Sequence, residues 1–196
     1  MAKRIFFICM ALLFAASSAS AKPYLSLGGM WVDLSDADVR APGPDWDVAF
    51  DDGWGAFVAV GKQFERFRLE GEVAYRRNDI DGIGIGGIKA GRGDKVEVMS
   101  GMVNAYLDFD LLQFRPFIGL GVGMASIDAD LGTVTGFGRV DDDDDVFAWQ
   151  AMVGLSFAMQ SVVFDVGYRY FDAENPKFGN FTGEYEGHNI YVGIRF

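Results

Sequence analysis

The chain ends on His188-Asn189-Ile190-Tyr191-Val192-Gly193-Ile194-Arg195-Phe196. Ile190, Val192, Ile194 and Phe196 form one apolar row, with Asn189, Tyr191, Gly193 and Arg195 standing between them. A period of two over this length is the pattern of a β-strand that shows two different faces. One face suits lipid and the other a packed polar interior. Chain termini fray unless something ties them down, so a strand running to the final residue calls for a partner elsewhere in the chain.

Working outward from that end, the same alternation recurs seven times, separated by turn chemistry. Strands are expected at 24–33, 54–64, 67–76, 96–109, 114–126, 146–158 and 162–171, with 188–196 as the eighth. In the third, Phe67, Leu69, Val73 and Tyr75 oppose Arg68, Glu70, Glu72 and Arg76. In the sixth, Trp149, Ala151, Val153, Leu155 and Phe157 oppose Gln150, Gly154 and Ser156. Only Glu65 and Arg66 separate the second strand from the third, which reads as a tight hairpin. Short turns also fall near 111–113 and 159–161, whereas 34–52, 77–95, 127–145 and 172–185 read as long loops rich in Asp or Gly.

Long loops that alternate with tight turns around an even number of antiparallel strands are the rhythm of a transmembrane barrel. The expected fold is all-β, an eight-stranded antiparallel up-and-down β-barrel. Closure is a physical requirement, because an open sheet edge in hydrocarbon leaves backbone donors and acceptors unpaired at several kcal/mol each. The first and last strands should therefore pair. Trp31, Trp54, Tyr75, Trp149, Tyr168 and Tyr170 fall toward the loop ends, and Phe64, Phe67, Phe109, Phe114 and Phe196 toward the turn ends, giving two aromatic girdles.

The other terminus bears on the compartment. Lys3 and Arg4, an apolar run from Ile5 to Ala16, and Ala19 and Ala21 in an A-x-A pattern read as a cleaved signal peptide over 1–21. The expected barrel domain is then 22–196. Cys9, the single cysteine, lies within the signal, so disulfides and thiolate metal sites are excluded from the mature chain. The full chain carries a net charge of -11, and losing Lys3 and Arg4 takes it to -13. So acidic a protein repels phosphate backbones, which excludes nucleic acid as a partner.

Segments such as FRLEGEVAY, VNAYLDFDLLQFRPFIGLGVG and VGYRYFD resemble strands of the eight-stranded outer-membrane-protein-A-like barrels, and of the porin-like surface-antigen family of small proteobacterial proteins. The closing strand, with Phe196 last and Ile190, Val192 and Ile194 before it, is similar to the segment that assembly machinery reads in such proteins. The resemblance implies a monomer in the bacterial outer membrane, surrounded by lipid and lipopolysaccharide, with a structural, antigenic or adhesive role toward host surface or matrix proteins. A small passive pore is the alternative. Eight strands leave an interior just wide enough for side chains. Into it the alternation sends Arg68, Glu70, Glu72, Asn104, Asp108, Gln150, Asp165, Arg169 and Arg195. By strand height, Glu70, Glu72 and Asp165 are expected to meet Arg169 near mid-barrel, with Arg68, Asp108 and Arg195 gathered toward the turn end. Such a network would plug the lumen.

Other motifs carry weaker chemistry. Arg92, Gly93 and Asp94 spell a tripeptide that integrins recognise, on an expected surface loop. Asp141, Asp142, Asp143, Asp144 and Asp145 form a run that reads as a solvated, self-repelling loop, with a divalent-cation site as the sharper alternative. No cofactor or resident metal is expected. Gly82, Gly84 and Gly87 match a dinucleotide-binding spacing, but no helical pattern follows them. A barrel-embedded hydrolase would rest on His188, the sole histidine. Lipid deacylases of barrel type carry Ser two residues beyond their His, where this chain has Ile190, and the acidic residue at Glu186 only partly matches barrel proteases. The expectation is no enzyme.

Overall fold

The computed structural model describes residues 21–34, 37–39, 46–50, 52–85, 88–90, 95–111, 114–130, 144–174, 177–178, 181–182 and 185–196. They form β1 (Lys22–Leu34), β2 (Ala37–Val39), β3 (Trp46–Phe50), β4 (Gly53–Phe64), β5 (Phe67–Ile85), β6 (Ile88–Ala90) and β7 (Lys95–Asp108). Then come β8 (Arg115–Asp130), β9 (Asp144–Met159), β10 (Val162–Ala173), β11 (Lys177–Phe178), β12 (Phe181–Thr182) and β13 (Tyr185–Arg195). Eight of these, β1, β4, β5, β7, β8, β9, β10 and β13, close into an antiparallel barrel.

The sheet closes on the stretch from which the sequence is read. β13 pairs with β1 from Ser26↔Arg195 to Leu34↔Gly187, and the Leu25 and Phe196 backbones exchange hydrogen bonds of 2.9 and 3.2 Å. The terminal residue is thus tied to the first strand, which answers the fraying problem at that end. The tight turns join β4 to β5 at Glu65-Arg66, β7 to β8 across the Leu111↔Phe114 bridge, and β9 to β10 at Gln160-Ser161. Glu65 and Gln160 take up positive φ (45° and 53°), the backbone hand that two-residue hairpins demand.

Following hydrogen-bonded partners around the ring gives the barrel's dimensions. From Tyr24 the path runs through Gly61, Glu70, Asn104, Gly121, Gln150, Phe171 and Gly187 and returns to β1 at Leu34, a stagger of ten residues. With ordinary strand spacing and rise, ten residues of stagger over eight strands tilt each strand by about 40° and set a backbone radius of roughly 8 Å. Side chains alone can fill such a cylinder.

The faces sort as the alternation requires. Leu27, Val58, Met99, Leu120, Val153, Val166 and Ile190 are exposed on the outside, while Met30, Met102, Phe117, Met152, Phe171 and Tyr191 are buried within. On β9 the outward row is uncharged from Phe157 up to Trp149. The eight residue steps between them, at that tilt, stand about 20 Å tall, close to the apolar band of outer-membrane barrels.

All four segments expected as long loops contain strand. The segments 34–52, 77–95, 127–145 and 172–185 read as loops, yet β5 runs on to Ile85, flanked by β3 on one side and β6 on the other, and β2 pairs β3. β8 likewise reaches Asp130, β9 starts at Asp144, and β11 pairs β12. Outside the membrane a strand needs hydrogen-bonded neighbours but no apolar face, so hydropathy alternation does not mark it. Gly82 and Gly84 accordingly lie in β5, in a hairpin with β6, and not ahead of a helix.

Candidate functional site

Inward-facing residues are drawn from all eight barrel strands, and they pack in tiers. At mid-barrel Arg169 meets Glu72 with two parallel hydrogen bonds, Nη1 to Oε1 at 2.9 Å and Nη2 to Oε2 at 2.8 Å. Neither side chain has any solvent exposure. Asn104 and Gln150 each donate to the same carboxylate at 3.4 Å, and Gln150 Nε2 donates to Asn104 Oδ1 at 2.7 Å. The Arg169 guanidinium also lies 5.0 Å from the Tyr191 ring and 5.2 Å from that of Phe57. A forked charge pair held by two amides and two rings has little freedom to move.

Nearer the turns stand two further clusters. Arg68 Nε donates to Asp108 Oδ1 at 3.0 Å and Nη1 to Glu70 Oε1 at 3.5 Å, while Tyr24 donates to Glu70 at 2.6 Å. Arg68 stacks over Tyr106 at 4.3 Å. Beside it Arg195 grips Asp165 at 2.6 and 3.0 Å, and Ser156 is hydrogen-bonded to both.

This arrangement corrects the expected partners. Asp165 meets Arg195, and Glu70 meets Arg68 and Tyr24, so only Glu72 of the three carboxylates reaches Arg169. Strands tilted and staggered by ten residues displace equal-numbered heights sideways, so counting along each strand alone cannot choose partners across the lumen.

Several lumen residues were not expected in the network. Arg76 reaches Ser100 at 2.8 Å and lies 4.1 Å from the Phe171 ring, at the loop end. Asn78 donates to the Val32 carbonyl and Asn189 to those of Arg169 and Gly187. Arg76 is legible on the inward row of its strand, and so are Tyr24 beside Ser26, Tyr106 between Asn104 and Asp108, and Tyr191 between Asn189 and Gly193, by the same parity. The wall of β8 makes room for these large groups. Gly121 faces inward where a Cβ would strike the amide of Asn104 and the Cγ methylene of Gln150, and Gly119 does the same beneath Tyr106.

The charges inside balance. Among the described residues the buried charged side chains are Arg68, Arg76, Arg169 and Arg195 against Glu70, Glu72, Asp108 and Asp165. Between the mid-barrel pair and the turn-end clusters lies a cavity of about 10 Å³, lined by Ser26, Arg68, Glu70, Asp165 and Arg169 among others. That is room for about one water.

The loop-end rim has its own outward pattern. Trp54 packs on Tyr75 at 5.9 Å and Trp149 on Tyr170 at 5.3 Å. The Tyr168 hydroxyl lies 2.5 Å from His188 Nδ1, which sets the single histidine on the outer face. Arg92, Gly93 and Asp94 fall outside the described residues, as do Asp141, Asp142 and Asp143. Asp144 and Asp145 open β9, with Asp145 exposed. Among the described residues no group of three or more His, Cys, Asp or Glu side chains is arranged to hold a metal ion.

A closed eight-stranded barrel, apolar outside and charge-paired inside, with girdles of aromatics, defines a protein that spans a membrane by its strands. The family model of the outer membrane protein beta-barrel domain matches residues 5–196, and the chain belongs to that family. It is a protein of the bacterial outer membrane. Among solved structures it is similar to Neisserial surface protein A, with a TM-score of 0.58 at 18% identity over 89% of this chain and 97% of that one. It is also similar to the outer membrane protein OprG from Pseudomonas aeruginosa, with a TM-score of 0.57 at 16% identity over 90% and 97%. Both are likenesses of fold. A comparison with curated proteins finds no match.

Proposed function

We propose that this protein is a monomeric, non-conducting and non-enzymatic surface barrel, exported with removal of residues 1–21, whose lumen is a plug and whose loops meet partners outside the cell. The observation that carries this reading is the packed lumen, in which four arginines and four carboxylates are buried and the space left near mid-barrel holds about one water. Ions crossing such an interior would have to break pairs that burial makes costly to separate.

Charge placement supports the loops as the working end. The turn end carries Lys22, Lys62, Arg66 and Arg115 against Glu65 and Asp110, a net of +2. With the lumen neutral, the mature chain's -13 leaves -15 for the loop end. A surface of that sign favours basic partners, whether host matrix segments or cations shared with lipopolysaccharide, and steers them at long range. In sequence, Arg92, Gly93 and Asp94 fall between β6 and β7, and the aspartates 141–145 run into the start of β9. Against catalysis stands His188, whose Nδ1 is taken up by Tyr168 and which faces outward with Ile190 as its neighbour two residues on. Phe196, 59% exposed and hydrogen-bonded through its backbone to Leu25, is suited to be read by the assembly machinery as the strand closes.

The test is the purified protein refolded into planar bilayers and, in parallel, offered to immobilised matrix proteins and lipopolysaccharide. The expected result is no stable conductance together with salt-sensitive binding through the loops. Large, regular channels that survive loop removal would overturn the plug and promote the pore.

A further inference from the structure

The cavity of about 10 Å³ between the mid-barrel pair and the turn-end clusters has Ser26, Arg68, Glu70, Asp165 and Arg169 on its wall and aromatic rings closing its sides. Two of the arginines that line it hold a donor in reserve. Arg68 uses Nε on Asp108 and Nη1 on Glu70, and Arg169 uses Nη1 and Nη2 on Glu72. Arg68 Nη2 and Arg169 Nε are left buried, with no hydrogen-bond acceptor among the described residues. The two side chains are 2% and 0% exposed, so bulk solvent does not serve them. A buried N–H without an acceptor is costly and correspondingly rare in folded chains, and here two such groups belong to the wall of one enclosed space.

Charge, size and hydrogen bonding decide what fits there. A halide would answer the two arginines but meets the Glu70 and Asp165 carboxylates on the same wall. It would also add an unpaired charge to a lumen whose four arginines and four carboxylates already balance. A cation meets the converse objection from Arg68 and Arg169. A neutral molecule that both accepts and donates suits the whole wall, and the volume admits only about one water. Acceptors are at hand: Glu70 takes bonds from Tyr24 and Arg68, and Asp165 from Arg195 and Ser156, whereas an ionised carboxylate has sites for about four. We infer that the cavity is a binding site for a single ordered water, which accepts from Arg68 Nη2 and Arg169 Nε and donates to Glu70 and Asp165. This water joins the mid-barrel pair to the turn-end clusters by hydrogen bonds. The inference rests on lumen geometry and its test reads no conductance, so its failure leaves the plug to be judged by the bilayer experiment.

The Arg169 Nε–H is the reporter, because a water held in the cavity stands against it. Water-selective NOE and ROE spectra are recorded on the full mature barrel refolded in lipid nanodiscs. Cross-peaks between water and this proton that differ in sign between the two spectra mark a held water, whereas proton exchange gives the same sign in both. Opposite signs are expected in the wild type. In Ser26→Val, whose methyls enter the cavity from the β1 wall, the cross-peak should be lost, with folding read independently from heat-modifiable migration. Should that variant not fold, the wild-type spectra alone decide. A chloride titration against a sulfate background tests the other occupant. The assignment would be overturned by a wild-type barrel without the opposite-sign cross-peak, by its persistence in folded Ser26→Val, or by a saturable chloride-dependent shift of the Arg169 Nε–H, the last pointing to a halide.

Discussion

Arg169→Ala removes the cation from the best-formed pair in the barrel, and the structure sets how much that costs. Both partners are without solvent exposure, and the fork is bidentate at 2.8 and 2.9 Å. Breaking a buried pair from one side costs about 3–5 kcal/mol, most of it the penalty of a carboxylate left alone. Here two effects act in opposite senses. Asn104 and Gln150 still donate to Glu72, but they cannot neutralise it, and the contacts with Phe57 and Tyr191 are lost as well. Meanwhile the void left by the guanidinium merges with the cavity that Arg169 already lines, so water enters and hydrates Glu72. The net expectation is a loss of about 3 kcal/mol, at the lower end of the buried-pair range. Glu72→Gln, which keeps the shape and strands the arginine instead, should cost a similar amount. The double variant Arg169→Met/Glu72→Gln should cost clearly less than the two together, with a coupling of at least about 2 kcal/mol. Reversible urea unfolding in lipid vesicles, followed by tryptophan fluorescence and by heat-modifiable migration, measures all three. Single losses below about 1 kcal/mol, or strict additivity, would refute a dry, tightly coupled pair.

Deleting Phe196 removes both backbone hydrogen bonds to Leu25 and the last residue of the apolar row, so assembled protein in the outer membrane should fall sharply; an unchanged yield and unchanged gel migration would count against the terminal strand as an assembly signal. Gly121→Val drives side-chain carbon into the Asn104 amide and the Gln150 methylenes, and overpacking of this kind should lower stability by about 1–3 kcal/mol, read from the same urea titration. Replacing Asp142, Asp143 and Asp144 by Asn should leave protease protection of that loop as it was, with or without calcium or magnesium; protection that depends on the cation in the wild type alone would establish a metal site.

The strand count, faces and closure were legible because lipid imposes a rule on each residue separately: outward positions between the girdles must be apolar, and Leu120, Val153, Val166 and Ile190 obey it one by one. Lumen membership was legible for the same reason, since Arg68, Glu72 and Arg169 are charges on the inward parity of otherwise apolar strands. What could not be read is who meets whom. Glu70 and Glu72 sit two residues apart on one strand, yet one joins Arg68 and Tyr24 and the other joins Arg169. Those choices depend on stagger, a property of the closed ring that no single strand encodes. The strand extensions above the membrane escaped for the converse reason. Segments such as 80–85 of β5 obey no lipid rule, and only the neighbours β3 and β6 make them strands.

The division of charge into a neutral lumen, a weakly basic turn end and a strongly acidic loop end has a consequence for how the barrel sits. Buried charges are tolerable only when balanced, so the lumen cannot be the place where the chain carries its excess acid. The turn end meets the anionic phosphates of the inner leaflet, and Lys62, outward beside Phe64, is set to snorkel toward them. The loop end, by contrast, must recruit cations or basic groups wherever it approaches anionic lipid. Raising ionic strength should therefore weaken association at the loop end with soluble basic partners, while leaving the packed lumen, screened from salt by burial, unchanged in stability. Salt dependence measured separately for binding and for unfolding distinguishes the two. If the unfolding midpoint moved with salt as steeply as binding did, the lumen charges would have to be in contact with solvent and the plug would be open.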